Sequence, residues 1–235
     1  MRGVLSASVL TVAIAIVGGV AVGLAAAPKA FADPMVYLEL TNGSDSSGEL
    51  SGNGGIDISG LTVGNYTIGA GVVSTTANNL SALDFSNFST TGGATPGLLQ
   101  IEVSAIGLTA PIPSLVNFLT QATGNILDGT LLSMTISTYT DTTNSVFGMQ
   151  NLLDTITINH INAGNGYNRS QSALWEVLTN PFSETFIIDL RLAANSDISS
   201  DTSLVPTPAP EPASFAILGV GLLTLTAARR RWLGR

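Results

Sequence analysis

Alternation with a period of two is the feature that most limits what this chain can become. In 36–40, Val36, Leu38 and Leu40 fall on one face and Tyr37 and Glu39 on the other. Ile101, Val103 and Ala105 alternate with Gln100, Glu102 and Ser104, and Leu132, Met134 and Ile136 with Ser133, Thr135 and Ser137. Phe186, Ile188, Leu190 and Leu192 oppose Thr185, Asp189 and Arg191, with Ile187 out of phase. Successive side chains on a strand point to opposite faces, so each segment reads as a strand that is apolar on one side only. Segments 61–73 and 152–161 read as strands too, whereas Pro113 to Ala122 and Ser172 to Leu178 read as short helices. Asn42-Gly43, the S-G-N-G-G stretch at 51–55, Gly92-Gly93 and Ala163 to Gly166 punctuate the pattern as turns and loops. One-sided strands joined by turns bury their apolar faces most economically as two packed antiparallel sheets. The expected fold is mainly β, an antiparallel β-sandwich or jelly-roll-like exported domain over residues 33–205.

Segments of a different kind flank that domain. Residues 1–32 have the order of a secretory signal: Arg2, an apolar stretch from Val4 to Ala27 expected to be helical, then Ala30-Phe31-Ala32. Ala30 and Ala32 fit the small-x-small cleavage pattern and make Asp33 the mature start. The apolar stretch is 24 residues long, enough to span a bilayer, so an uncleaved anchor is the alternative. At the other end, Pro206, Pro208, Pro210 and Pro212 give a linker, 206–212, expected to be extended and unable to join a sheet. Residues 213–228 are uncharged and read as a transmembrane helix, followed by an Arg-rich cytoplasmic tail, 229–235. As a helix the run would extend roughly 24 Å at 1.5 Å per residue. Snorkelling arginines and Trp232 extend it toward the ~30 Å hydrocarbon core.

Pro210, Glu211 and Pro212, the apolar run after them, and Arg229, Arg230 and Arg231 together resemble the PEP-CTERM sorting signal of exported bacterial proteins. The resemblance is confined to the stretch from Pro206 to Arg235. It implies a substrate of exosortase, a multi-pass membrane protease-transpeptidase that removes the tail, with the catalytic groups on that partner. The implied course is an inner-membrane anchored precursor, then the cell surface or extracellular matrix. The resemblance also associates such chains with exopolysaccharide and biofilm.

Charge and composition narrow the domain's own chemistry. Between Asp33 and Val205, two arginines stand against fifteen carboxylates, a formal −13, and there is no lysine. That field repels nucleic acid and favours solubility. The chain has no cysteine, so it has no disulfide framework or thiolate nucleophile, and its single histidine, His160, rules out a His-rich metal site. His160 shares parity with Ile156 and Ile158, which predicts a partly buried sheet position. The motifs of nucleotide-binding loops, zinc proteases and serine hydrolases are missing. Calcium, which takes oxygen donors alone, has two candidate ligand sets. One is Asn42, Ser44, Asp45, Glu49, Asn53 and Asp57; the other is Asp197, Ser199 and Asp201. Solvated loops account for both sets equally well, so no metal and no cofactor is expected.

The leading reading is a non-enzymatic surface or matrix protein. Its alternative is a carbohydrate-binding module using Tyr37, Tyr139, Tyr167 or Trp175; 43 Ser and Thr among the 173 residues of 33–205 suit contact with polysaccharide. A carboxylate-dependent glycan hydrolase is the third reading, and it needs two acids about 5–10 Å apart in a cleft.

Overall fold

Residues 34–75, 82–109, 115–176 and 180–208 are described by a computed structural model of the chain. Every element among them is a strand. In order they are β1 (Met35–Asn42), β2 (Asp45–Ser46), β3 (Leu50–Asn53), β4 (Gly55–Val63), β5 (Tyr66–Thr75), β6 (Leu83–Gly92) and β7 (Leu99–Leu108). There follow β8 (Leu115–Asp128), β9 (Thr130–Asp141), β10 (Asn151–Asn162), β11 (Gly166–Glu176), β12 (Phe182–Leu192) and β13 (Asp197–Pro208). Sheet A runs β10-β9-β12-β7-β1-β2, with β3 also paired to β1, and sheet B runs β11-β8-β13-β6-β5-β4. All pairings are antiparallel. From β6 onward the chain crosses repeatedly between sheets, and the expected sandwich is the fold found. No helix of the described residues is long and apolar enough to cross a membrane. The expected signal and transmembrane helices, 1–32 and 213–228, lie outside those residues.

The inner face of sheet A is ordered in rows. Leu40, Ile101, Ile188, Ile136 and Ile156 sit opposite one another across five strands, all buried. Two rows away, toward the end where β1 begins, the row reads Val36, Ala105, Glu184, Thr140 and Asn151. Between them lies Thr138, whose hydroxyl meets that of Thr120 in sheet B at 3.1 Å, a polar tie across the core. In sheet B the register shifts where Ser86 and Asn87 stand opposite Asp201 alone. Asn87 turns left-handed there, at φ 52°, and donates its N–H to the Asp201 carboxylate at 2.6 Å. The extra residue lets Phe85 and Phe88 both enter the core, their rings 4.8 Å apart.

Several expectations fail for identifiable reasons. The two expected helices are strands: 115–122 lies in β8 and 172–176 in β11, while 113–114 and 177–178 fall outside the described residues. Leu119, on the outer face between buried Phe118 and Thr120, lends β8 its false helical spacing. The single strand expected at 61–73 is a hairpin, β4–β5, with Val63 opposite Tyr66 and a two-residue Gly64-Asn65 loop. Gly64 takes φ 56°, the left-handed conformation such a loop demands at its first position. The 51–55 stretch is not one loop, because β3 occupies its first half and β4 starts at Gly55. His160 is exposed rather than partly buried, since at φ 48° it breaks the parity it shares with Ile156 and Ile158. Opposite it, Leu132 is 46 % exposed at a bulge against β12, and Leu131 takes the core position instead. Finally, β13 runs to Pro208, three residues into the expected linker. Its described pairing with β6 runs to Leu204 and its ladder with β8 to Pro208; a proline joins a strand where the position asks it for no N–H.

Glu184 is the anomaly of the core. It is fully buried on the inner face and neither carboxyl oxygen has a hydrogen-bond partner; the Thr140 and Ser183 hydroxyls nearby also lack one. Burial pushes its carboxyl well above the usual 4.5, so it is held as the neutral acid. Because its folded pKa lies above the unfolded value, its contribution is fully present below about pH 4.5 and is lost as pH rises through the folded value. Glu184→Gln keeps the size and removes the ionisation. We expect it to match the wild type near pH 4 and to melt at least roughly 3 °C higher at pH 8, about 1 kcal/mol for a domain of this size. Circular dichroism melts across that range are the check; parallel curves for the two proteins would refute it.

Candidate functional site

The residues of the tail signal, Pro210, Glu211, Pro212 and Arg229 to Arg231, and the signal-peptide cleavage residues Ala30, Ala32 and Asp33 lie outside the described residues. What the structure supplies is their platform. Met35 stands opposite Ile106 and Pro208 opposite Val116. Ile106 and Val116 flank the short connection from β7 to β8, so the chain enters and leaves the sandwich at the same end. Only Ala209 separates the last paired residue, Pro208, from Pro210.

At the opposite end, a polar cleft of about 560 Å³ is centred on Asn42. The Asn42 side chain is nearly buried and ties three loops together. Its amide donates to the Leu98 carbonyl at 2.8 Å, and its oxygen accepts the Asn65 N–H at 3.1 Å. A side chain on Gly64 would collide with that same oxygen, so the β4–β5 loop can approach only as glycine. Thr41, Ser44, Asp45 and Thr95 complete the rim. A second cleft of about 440 Å³ lies over sheet B, bounded by Thr123, Asn125, Asn168, Ser199 and Asp201. Neither candidate calcium set comes together whole: Asn42, Ser44 and Asp45 share the first cleft, and Ser199 and Asp201 the second. Asn42 is engaged in the loop tie, Asp57 belongs to β4 in the other sheet, and Asp201 accepts the Asn87 N–H. Among the described residues no three acidic or histidine side chains are grouped to hold a metal ion.

Each cleft holds one carboxylate, Asp45 or Asp201, and not the pair that acid–base hydrolysis of a glycan requires. Among the described residues, Glu39 stands opposite Glu102 on the outer face of sheet A, and Asp197 opposite Asp128 in sheet B. Burial raises the Glu102 carboxyl, and the charges of Glu39 and Asp189 raise it further. The aromatic candidates divide. Tyr167 is buried and donates its hydroxyl to Ser200 at 2.7 Å; burial pushes its phenol up to about 12 despite that bond. Tyr37 and Tyr139 are half-buried on the outer face of sheet A, in one row with Ser104 and Thr185 between them. Three strand spacings of ~4.8 Å put them roughly 14 Å apart. Trp175 lies on β11, and its side chain is outside the description.

By sequence Asn42 is a turn residue and a candidate calcium donor; its role as a tie is not legible there because its partners lie in two distant loops. Asn42→Ala leaves the Asn65 N–H and the Leu98 carbonyl without their partner. The expected cost is about 2 kcal/mol, read as a lower denaturation midpoint at unchanged slope.

Comparison with curated proteins finds no match to the sequence. Among solved structures, an arabinose-bound α-L-arabinofuranosidase is 12% identical at a TM-score of 0.31; the match covers 65% of this chain and 23% of the enzyme. Family 16 Carbohydrate Binding Module-2 is 10% identical at 0.29, with 53% and 82% covered. A carbohydrate-binding module described for specific mannan recognition is 8% identical at 0.27, with 62% and 90% covered. At these values no function passes from them to this chain. The family model of the PEP-CTERM protein-sorting motif matches residues 208–231 and no more of the sequence. The C-terminal stretch that begins where β13 ends is therefore a PEP-CTERM protein-sorting motif.

Proposed function

We propose that the chain is an exported, non-enzymatic surface or matrix protein of a bacterium, with the sandwich as cargo and the tail as its sorting signal. An exosortase-type membrane transpeptidase is the partner that reads and removes the tail. The observation that carries this reading is the motif match at 208–231, directly abutting the folded domain. Before processing, the precursor sits in the inner membrane through residues 213–228, with Arg229 to Arg231 on the cytoplasmic side, as the positive-inside rule requires. After processing, the strongly acidic domain stays dispersed and is retained in exopolysaccharide at the cell surface.

Glu211 is the only charge between Asp201 and Arg229, and a carboxylate enters hydrocarbon only at high cost. It therefore holds the tripeptide at the interface, within reach of a membrane enzyme. Glu211→Gln or Pro212→Ala is expected to leave full-length protein in the inner membrane of cells carrying the enzyme, whereas Pro208→Ala is still processed. Intact masses from fractionated cells decide it; processing of all three as in the wild type would reduce the tail to a plain anchor.

Polysaccharide binding by the sandwich itself is the second reading, favoured by the Tyr37–Ser104–Thr185–Tyr139 row on sheet A. The two half-buried rings offer apolar faces for sugar rings, while the Ser104 and Thr185 hydroxyls between them are buried, Thr185 donating to Ser104 and Ser104 to the Glu184 carbonyl. Tyr37→Ala together with Tyr139→Ala is expected to weaken retardation of the processed protein at least tenfold in gels containing neutral polysaccharide. Equal retardation of variant and wild type would remove this reading and leave the sorting assignment untouched.

A further inference from the structure

The connection between β9 and β10 departs from the acidic character of the domain. Residues 142–153 carry no charge, and within them Met149 and Leu152 are each more than half exposed. The acids that border the stretch are engaged. Buried Asp141 accepts the Thr143 N–H and hydroxyl, each at 2.6 Å, and Asp154 accepts the Thr155 N–H at 2.6 Å. The loop is also held in place. Gln150 Oε1 accepts the Thr142 N–H at 2.9 Å and its hydroxyl at 2.7 Å, closing the neck, and Asn144 Oδ1 accepts the Gly107 N–H at 2.7 Å. Asn144 and Phe147 take φ 57° and 50°, and a side chain on Gly148 would collide with Asp141.

This loop lies at the end of the sandwich where residue 208 lies. The Thr138–Thr120 contact sets β9 over β8, which is paired with β13. With sheets ~10 Å apart and strands ~4.8 Å apart, Asp141 at the neck lies roughly 15 Å from Pro208. On sheet B, Leu174 is exposed to a similar degree and shares a row with Asn117 and Thr207. Three of the five large apolar side chains exposed among the described residues therefore flank the start of the sorting motif at 208. Exposed apolar side chains scattered singly are ordinary, whereas a group at one end marks an interaction surface.

We propose that Met149, Leu152 and Leu174 form a membrane-contact surface, which seats the sandwich on the bilayer interface in the anchored precursor. The proposal rests on the reading of the tail as a membrane-held sorting signal. A lipid surface is the occupant because the motif that begins at residue 208 brings one to this end of the domain. The uncharged loop also meets that surface without the repulsion that the acidic faces would meet at anionic headgroups. Apolar side chains at such an interface bury into the boundary between headgroups and acyl chains. Three side chains bind weakly by themselves, but the tail makes their contact intramolecular, so a small apolar surface suffices. Once the tail is cut that advantage is gone, and the sandwich leaves the bilayer.

The test uses the full-length chain, which has no cysteine, so a single introduced thiol takes a fluorophore at one place. Met149→Cys, Leu152→Cys and Leu174→Cys are labelled with an environment-sensitive dye and reconstituted into phosphatidylcholine vesicles. Leu132→Cys, an exposed apolar position at the far end, is the control. Lipid carrying a quencher near its headgroup is expected to lower emission at 149, 152 and 174 at least twofold and to leave 132 unchanged. Protein that floats with the vesicles yet stays unquenched at 149, 152 and 174 overturns the proposal, as does equal quenching at 132. A dye response that ignores the lipid quencher and grows with the number of proteins per vesicle assigns the patch to a second copy and overturns it too. Protein that does not float with the vesicles removes the membrane reading of the tail, and this inference with it.

Discussion

Five aliphatic side chains in line, Leu40, Ile101, Ile188, Ile136 and Ile156, hold five strands of sheet A in register, and the rest of the sandwich depends on that register. Sliding any of these strands by one residue would turn its whole apolar set outward. Each fully buried side chain of this size contributes roughly 1.5–3 kcal/mol. No disulfide can assist, because the chain has no cysteine. Lysine is also missing from the domain, so its fifteen carboxylates have only Arg169 and Arg191 as basic side-chain partners. The fold stands on its apolar rows, and the polar end of sheet A, with Glu184 at its centre, is where those rows stop.

The strands that could be read directly, β1, β7, β9 and β12, alternate because one face meets the core and the outward positions are mostly polar, even where, as at Ser104 and Thr185, they too are buried. β8 and β11 were not legible for the opposite reason. Leu119 and Leu174 put apolar side chains on the outer face, and the evidence that they belong to strands is each other: the two segments pair along their full length. Partners from distant sequence override local spacing. His160 and Leu132 fail together, since one left-handed residue and one bulge on facing strands re-aim both side chains. A two-residue loop hid inside 61–73 because Val63 and Tyr66 flank it with buried side chains, so the apolar positions resume directly after it.

Legibility of the functional regions follows the same division between local and distant. The tail signal is written in consecutive residues, so tripeptide, apolar run and arginines could be recognised without any fold. The clefts are assembled from segments far apart: Asn42, Asn65 and Leu98 come from three separate loops. A list of oxygen-bearing residues in 42–57 cannot reveal that Asn42 is already engaged or that Asp57 points from another sheet. Proline carried the most misleading signal. Pro206 and Pro208 read as the start of a linker, yet they extend the strand opposite Phe118 and Val116 of β8.

The common exit of both chain ends gives the sandwich a polarity useful for display. The turns at Gly43 and Gly164, left-handed and with open space around them, lie at the far end. A strand such as β10, 12 residues at ~3.3 Å each, carries that end roughly 40 Å from the exit. An epitope or guest peptide grafted at either turn would stand at the end of the sandwich away from residue 208, where the sorting motif begins.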